Sequence, residues 1–129
     1  MVEHLTKSEL AIMEVMWDQE ENLTAAEIIK VSGGDKEWKN SSIHLLVNAL
    51  LEKGFLEVAG FKKTTKNYAR TFKPTMTQEK YYIEKVMGNA TEEEKKKIYN
   101  ELLKEVEDLE TLDEISAGIT ARRQELKNQ

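Results

Sequence analysis

Ser41, Ser42, His44, Leu45 and Asn48 fall within eight consecutive positions of the stretch SSIHLLVNALLEKG (41–54). Turned by about 100° per residue, they share one helix face with Ala49 and Glu52, while Ile43, Leu46, Val47, Leu50 and Leu51 share the other. The first face offers two hydroxyls, an imidazole and a carboxamide around one apolar side chain. Such groups suit the edges of base pairs: Ser and Asn exchange hydrogen bonds with bases, and Leu45 or Ala49 fits against a thymine methyl. The N-terminal end of the face, which meets bases when such a helix docks in a groove, is small and uncharged. A leucine at its centre is odd on a plain soluble surface and calls for contact with bases or with another protein. The stretch holds no Arg, and its one Lys, Lys53, lies at the far end beside Glu52.

Affinity for phosphate would then have to come from elsewhere. Between Phe55 and Pro74 there are five basic residues, Lys62, Lys63, Lys66, Arg70 and Lys73, against the single acid Glu57. Lys36 and Lys39 add two more charges just before the helix. We expect Lys36, Lys39, Lys62, Lys63, Lys66 and Arg70 to touch the DNA backbone and position the protein, and the nearly neutral helix to specify sequence.

Catalytic chemistry has little to stand on. His4 lies near the N-terminus, and His44 neighbours Ser41 and Ser42 without an acid evidently placed to orient it. SGGD (32–35) lacks the further glycines and the lysine of a phosphate loop and reads as the stop of a helix. Glu92-Glu93-Glu94 followed by Lys95-Lys96-Lys97 is ordinary helix-dipole and ion-pair chemistry. No catalytic site, no metal site and no cofactor is expected, and the chain reads as not an enzyme.

The elements that must position these residues are legible. Thr6-Lys7-Ser8-Glu9 and Thr24-Ala25-Ala26-Glu27 are capping boxes, with Leu5/Leu10 and Leu23/Ile28 as hydrophobic staples. Thr91–Glu94 and Thr111–Glu114 carry the same signature, and helices are expected near 6–19, 24–32, 41–53, 76–87, 91–109 and 112–127. FLEVAGF (55–61) and YARTFK (68–73), flanking the polar KKTTKN, predict a hairpin, with Gly54 and Pro74 as its outer limits. Helix, helix, helix, hairpin is the order of a winged helix-turn-helix. The fold class is therefore mostly α with a small β-hairpin wing. A winged-helix DNA-binding domain over 1–74 is followed by a helical dimerisation domain over 75–129.

The dimerisation assignment rests on a narrow apolar seam. Tyr99, Leu102, Val106 and Leu109 recur at steps of three, four and three, and Ile115, Ile119 and Leu126 continue a stripe. A second copy of the chain would cover it; the alternative is that it folds back on the chain's own winged domain. Composition sets the outer bounds. A chain of 129 residues, 40% hydrophobic and 33% charged, is globular and has no cysteines for disulfides, thiolate metal sites or nucleophiles. A net charge of −5 excludes a uniformly basic nucleic-acid binder but allows a local basic patch. The start MVEHLTKSEL lacks a signal peptide's basic and apolar regions, no apolar run spans a membrane, and a cytoplasmic location is expected.

LTKSELAIMEVMW, LTAAEI, Trp38 followed by SSIHLLVNALLEKGFLE, and YARTFKPTMTQEKY together resemble the penicillinase-repressor family of bacterial transcription regulators. That family includes the methicillin-resistance repressor and copper-responsive repressors. The resemblance runs through about residues 5–82 and more loosely to the end. It implies a homodimeric repressor on a palindromic operator of double-stranded DNA, with entwined C-terminal helices and a sensor or protease as inactivating partner. Where the family's third helix usually carries Thr and Arg, this chain has Leu45 and Ala49. The β-lactam-responsive members are cleaved at an Asn-Phe bond in the tail. Here all three Phe lie at or before residue 72 and none follows Asn, and the cysteine-rich motif of the copper-responsive members is missing. The competing reading is a winged-helix adaptor that has lost specific DNA binding and presents Leu45 to protein.

Overall fold

Reciprocal caps start the first two helices. Glu9 N–H donates to Thr6 Oγ1 at 3.2 Å and Thr6 N–H to Glu9 Oε1 at 2.9 Å; Thr24 and Glu27 repeat both bonds at the same lengths. They open α1 (Lys7–Asp18) and α2 (Ala25–Ser32) in a computed structural model that describes residues 4–129. Leu5 and Leu23, the residues before the two caps, are buried as the staples require.

The third helix begins differently from expectation. Lys39 has no capping side chain to offer, and Asn40–Ser42 form a single 3-10 turn closed by Ser42 N–H to the Lys39 carbonyl at 2.8 Å. A tighter i→i+3 bond is the usual resort of first-turn amides that lack a cap. Only then does α3 (Ile43–Glu52) start. Its end follows the glycine signal. Gly54 sits at φ +83, Phe55 N–H reaches back to the Leu50 carbonyl at 2.9 Å, and Gly54 N–H reaches Leu51 at 3.1 Å. That is the paired-bond stop in which Gly takes the left-handed position.

From there the chain enters an antiparallel hairpin, β1 (Leu56–Lys63) and β2 (Tyr68–Pro74), paired from Leu56↔Pro74 to Lys63↔Tyr68 with a bulge between Val58 and Gly60. Thr64 Oγ1 closes its turn by donating to the Asn67 carbonyl at 2.8 Å. An isolated bridge, Leu23↔Phe72, ties the base of this wing to the residue before the cap of α2, through bonds of 2.9 and 3.3 Å. Ile12, Met13 and Met16 of α1, Ile28 of α2, Val47 and Leu50 of α3, and Phe55, Leu56 and Phe72 of the hairpin close over one core. Each such side chain contributes about 1.5–3 kcal/mol by leaving water.

The first compact unit does not stop at Pro74. It runs Met1–Gly88, and the second runs Asn89–Gln129, so the boundary lies later than the 74/75 expected. The reason is Tyr81 on α4 (Gln78–Met87), which is buried with its ring 5.5 Å from Trp17 and 5.8 Å from Phe55. Trp17 Nε1 also donates to the Met76 carbonyl at 2.9 Å, pinning the approach to α4. Thr77 caps the helix by accepting from Lys80 N–H at 3.1 Å.

The second unit holds α5 (Glu92–Lys104), capped by Thr91, and α6 (Leu109–Lys127). Two expectations are corrected here. The fifth helix ends at Lys104 rather than 109, because Glu105, Glu107 and Asp108 place negative charge where a helix's own negative end would lie. The cap of the sixth helix is Asp108, not Thr111: its carboxylate accepts from both the Thr111 N–H and hydroxyl at 2.9 Å. The continuous seam Tyr99–Leu109 is thereby broken. Val106 falls in the connection and Leu109 opens α6.

One ion pair joins the start of the first helix to the end of the third. Lys53 Nζ lies 2.6 Å from Glu9 Oε1 and donates to the His4 carbonyl at 3.0 Å. Burial pushes the Glu9 carboxyl up, but the Lys53 and Thr6 hydrogen bonds outweigh it and hold the group below its ordinary value. A carboxylate depressed in the folded state stabilises above its unfolded pKa, and that contribution disappears as pH falls through the folded value. Glu9→Gln keeps the capping side chain and removes the charge. We expect it to cost about 1–3 kcal/mol at neutral pH and to flatten the acid side of the stability profile, checked by thermal melts from neutral to acid pH. A variant with the wild-type acid profile would show the pair to be energetically idle.

Candidate nucleic-acid interface

The two faces of α3 separate as its period requires. Ile43, Val47 and Leu50 are sunk in the core, and Leu46 and Leu51 are half-buried against it. On the outer side His44, Leu45 and Asn48 are exposed, Leu45 to 75%. Ser41, exposed, and Ser42, half-buried, lie in the 3-10 turn that leads into the helix. The tighter winding displaces them from the positions that a regular first turn would give. Ala49, on the same outer side, is half-buried.

His44 also faces the wing. It lines a cleft of about 400 Å³ with Thr24 and Ala26 at the start of α2 and with Tyr68 and Arg70 of β2. Helix and wing therefore meet at one concavity, and Arg70 enters it with its guanidinium carbon 5.3 Å from the Phe72 ring centre. The sequence pattern placed Arg70 only as one of a basic cluster; Tyr68 it did not single out.

The six candidate phosphate ligands fall into different environments. Lys36 donates to the Gly33 carbonyl at 2.8 Å and lies 5.0 Å from the Trp38 ring, while Lys39 is exposed immediately before the 3-10 turn. Lys63 and Lys66 are exposed at the wing's tip and make no ion pair among the described residues. Lys62 does: its Nζ lies 2.6 Å from Glu27 Oε2. Lys73 is likewise paired, with Glu57 at 3.4 Å. Hence the wing's unopposed charge is that of Lys63, Lys66 and Arg70. Glu27 was legible only as a capping residue, since its second partner lies 35 positions away.

Of the dimerisation candidates, Tyr99 and Leu102 are exposed on α5, and Leu109 and Ile119 on α6, with Val106 and Ile115 half-buried. Leu103 and Leu112, which the seam did not include, are exposed beside them. Among the described residues no three His, Asp or Glu side chains gather closely enough to hold a metal ion, and no helix is long and apolar enough to cross a membrane.

The model of the penicillinase repressor family matches residues 5–117 of the chain. Among solved structures, the chain is similar to the crystal structure of adhesin competence repressor (AdcR) from Streptococcus pyogenes. That similarity has 17% identity and a TM-score of 0.40, covering 97% of this chain and 82% of that one. No curated protein sequence matches the chain significantly.

Proposed function

The chain belongs to the penicillinase repressor family and is a DNA-binding transcriptional repressor, and from that premise we propose that it acts as a homodimer on a two-fold operator. In this reading each winged unit lays α3 in the major groove. Ser41, Ser42, His44, Leu45 and Asn48 meet base edges, and Lys36, Lys39, Lys63, Lys66 and Arg70 meet phosphates. Tyr99, Leu102, Leu109, Ile115 and Ile119, with Val106 in the connection, supply the apolar surface between copies.

The observation that carries the proposal is the exposure of Leu45 at the middle of α3, flanked by short polar groups, while its neighbours Ile43 and Val47 are buried. Such a face lacks the Arg–guanine pair that is worth about 1–3 kcal/mol of discrimination. Modest specificity is expected, favouring A·T-rich sites where thymine methyls pack on Leu45. Leu45→Ser should weaken binding to the DNA upstream of the chain's own gene and barely change binding to random duplex, as read by anisotropy titration. Ala49→Arg should strengthen binding, its long stem carrying the guanidinium out from a half-buried position to a phosphate or a guanine. If Leu45→Ser leaves DNA affinity untouched and instead abolishes association with another protein, α3 is a protein-docking face.

The wing is expected to add charge without reading sequence. Replacing Lys63 and Lys66 by alanine should weaken binding to all DNA about equally. Each residue, present once in each half of a dimer, should lower the slope of log affinity against log salt by about two units. An unchanged slope would return both lysines to ordinary solvated surface.

A further inference from the structure

Lys62 differs from its wing neighbours in having a partner on another element. Glu27 stands in the first turn of α2, and its two carboxylate oxygens are divided between two tasks. Oε1 accepts from Thr24 N–H at 2.9 Å and completes the cap; Oε2 accepts from Lys62 Nζ at 2.6 Å. Lys62 lies one residue from the end of β1, opposite Ala69. At the wing's base the Leu23↔Phe72 bridge joins the residue before the same cap to β2. The hairpin is thus fastened to the start of α2 twice, once by backbone at its base and once by a side chain near its tip.

Resting on the DNA-binding reading above, we propose that Glu27 is a positioning residue for that binding: it holds Lys62 on α2 and so keeps this one wing cation off the DNA backbone. Three features support the assignment. The capping bond holds the carboxylate independently of Lys62, so that the pair requires no further ordering of the Glu27 side chain. The Lys62 hydrogen bond, followed by the Thr24 N–H, holds the Glu27 carboxyl below its ordinary value, so the carboxylate is charged wherever the protein is folded near neutrality. Finally, the pair is open to water, with side-chain exposures of 56% for Lys62 and 31% for Glu27, and an exposed pair of this kind contributes little to folding stability. Its consequence is where the wing's charge points. A wing with all its cations free binds any duplex more tightly and gains nothing in discrimination, since phosphate contacts carry no sequence information.

The test separates the latch from the cap and from simple charge removal. Glu27→Gln keeps an Oε1 acceptor for Thr24 N–H, since Gln also serves in a capping box, but releases Lys62. In the full-length chain, titrated against random duplex DNA at several salt concentrations, this variant should bind several-fold more tightly. Its salt slope should be steeper by about two units, one freed lysine in each half of a dimer. Lys62→Ala alone should leave the wild-type slope unchanged. Adding Lys62→Ala to Glu27→Gln should return the slope to the wild-type value. A Lys62→Ala slope already lower by about two units would mean that Lys62 reaches phosphate despite Glu27, overturning the proposal. A double variant that keeps the gain would overturn it too, since the gain would then be lost repulsion from Glu27 alone. A wild-type chain that binds no duplex at all would remove the DNA-binding reading itself and this inference with it.

Discussion

Tyr81→Ala is expected to destabilise the first compact unit by about 3–5 kcal/mol, the range for deleting a buried aromatic side chain. Tyr81 packs between Trp17 and Phe55 and is the one buried residue of α4. Since domains of this size are stable by only about 5–15 kcal/mol, the variant should unfold at a much lower urea concentration. Its neighbour Tyr82 is half-exposed on the same helix, and Tyr82→Ala should cost far less. Chemical denaturation of the pair checks this directly. Equal midpoints for the two variants would mean that α4 is not part of the core that holds α3 and the wing in place.

The second large effect concerns assembly. Leu102 on α5 and Ile119 on α6 are exposed apolar residues in a unit where no side chain of either helix is buried. In the proposed homodimer a second copy covers them. Leu102→Glu with Ile119→Glu should yield a monomer at micromolar concentration by light scattering, with the unfolding transition of the first unit unchanged. Because a dimer converts its second half-site contact into an intramolecular event, losing it should cost about 10²–10⁴ in operator affinity. Wild-type protein that is itself monomeric at that concentration would remove the two-fold operator model.

Much of the local structure is legible in the chain alone because its interactions span three or four residues. The Thr6–Glu9 and Thr24–Glu27 boxes, the Gly54 stop and the burial of Ile43, Val47 and Leu50 all follow from spacing on a helix. The hairpin was legible for a similar reason: two aromatic and β-branched runs flanked one polar turn. Leu45 could be placed on the outer face of α3 from the 3.6-residue period alone, and it lies there.

Between the fifth and sixth helices two local signals compete. Asp108 and Thr111 stand three residues apart and both can cap. The charged carboxylate prevails by taking the Thr111 hydroxyl as well as its N–H, which starts α6 at Leu109 and leaves Val106 in the connection before it. Ser41 and Ser42 lie in a 3-10 turn whose preceding residue, Lys39, makes no side-chain capping bond, and no periodicity marks that change of winding.

What the sequence determined by itself is therefore the set of elements, their faces and the presence of a basic wing on an acidic chain. Only the tertiary structure decided which residues from distant elements meet. Tyr81 reaches back to Trp17 and Phe55 and carries α4 into the first unit, while His44 and Arg70 come to line one cleft. Of the three lysines near the wing's tip it is Lys62, and not Lys63 or Lys66, that finds a carboxylate, and it does so on α2. A pairing across 35 or 64 positions leaves no repeat or spacing in the chain, because it is fixed by how whole helices and strands pack on a shared core rather than by any property of the residues between.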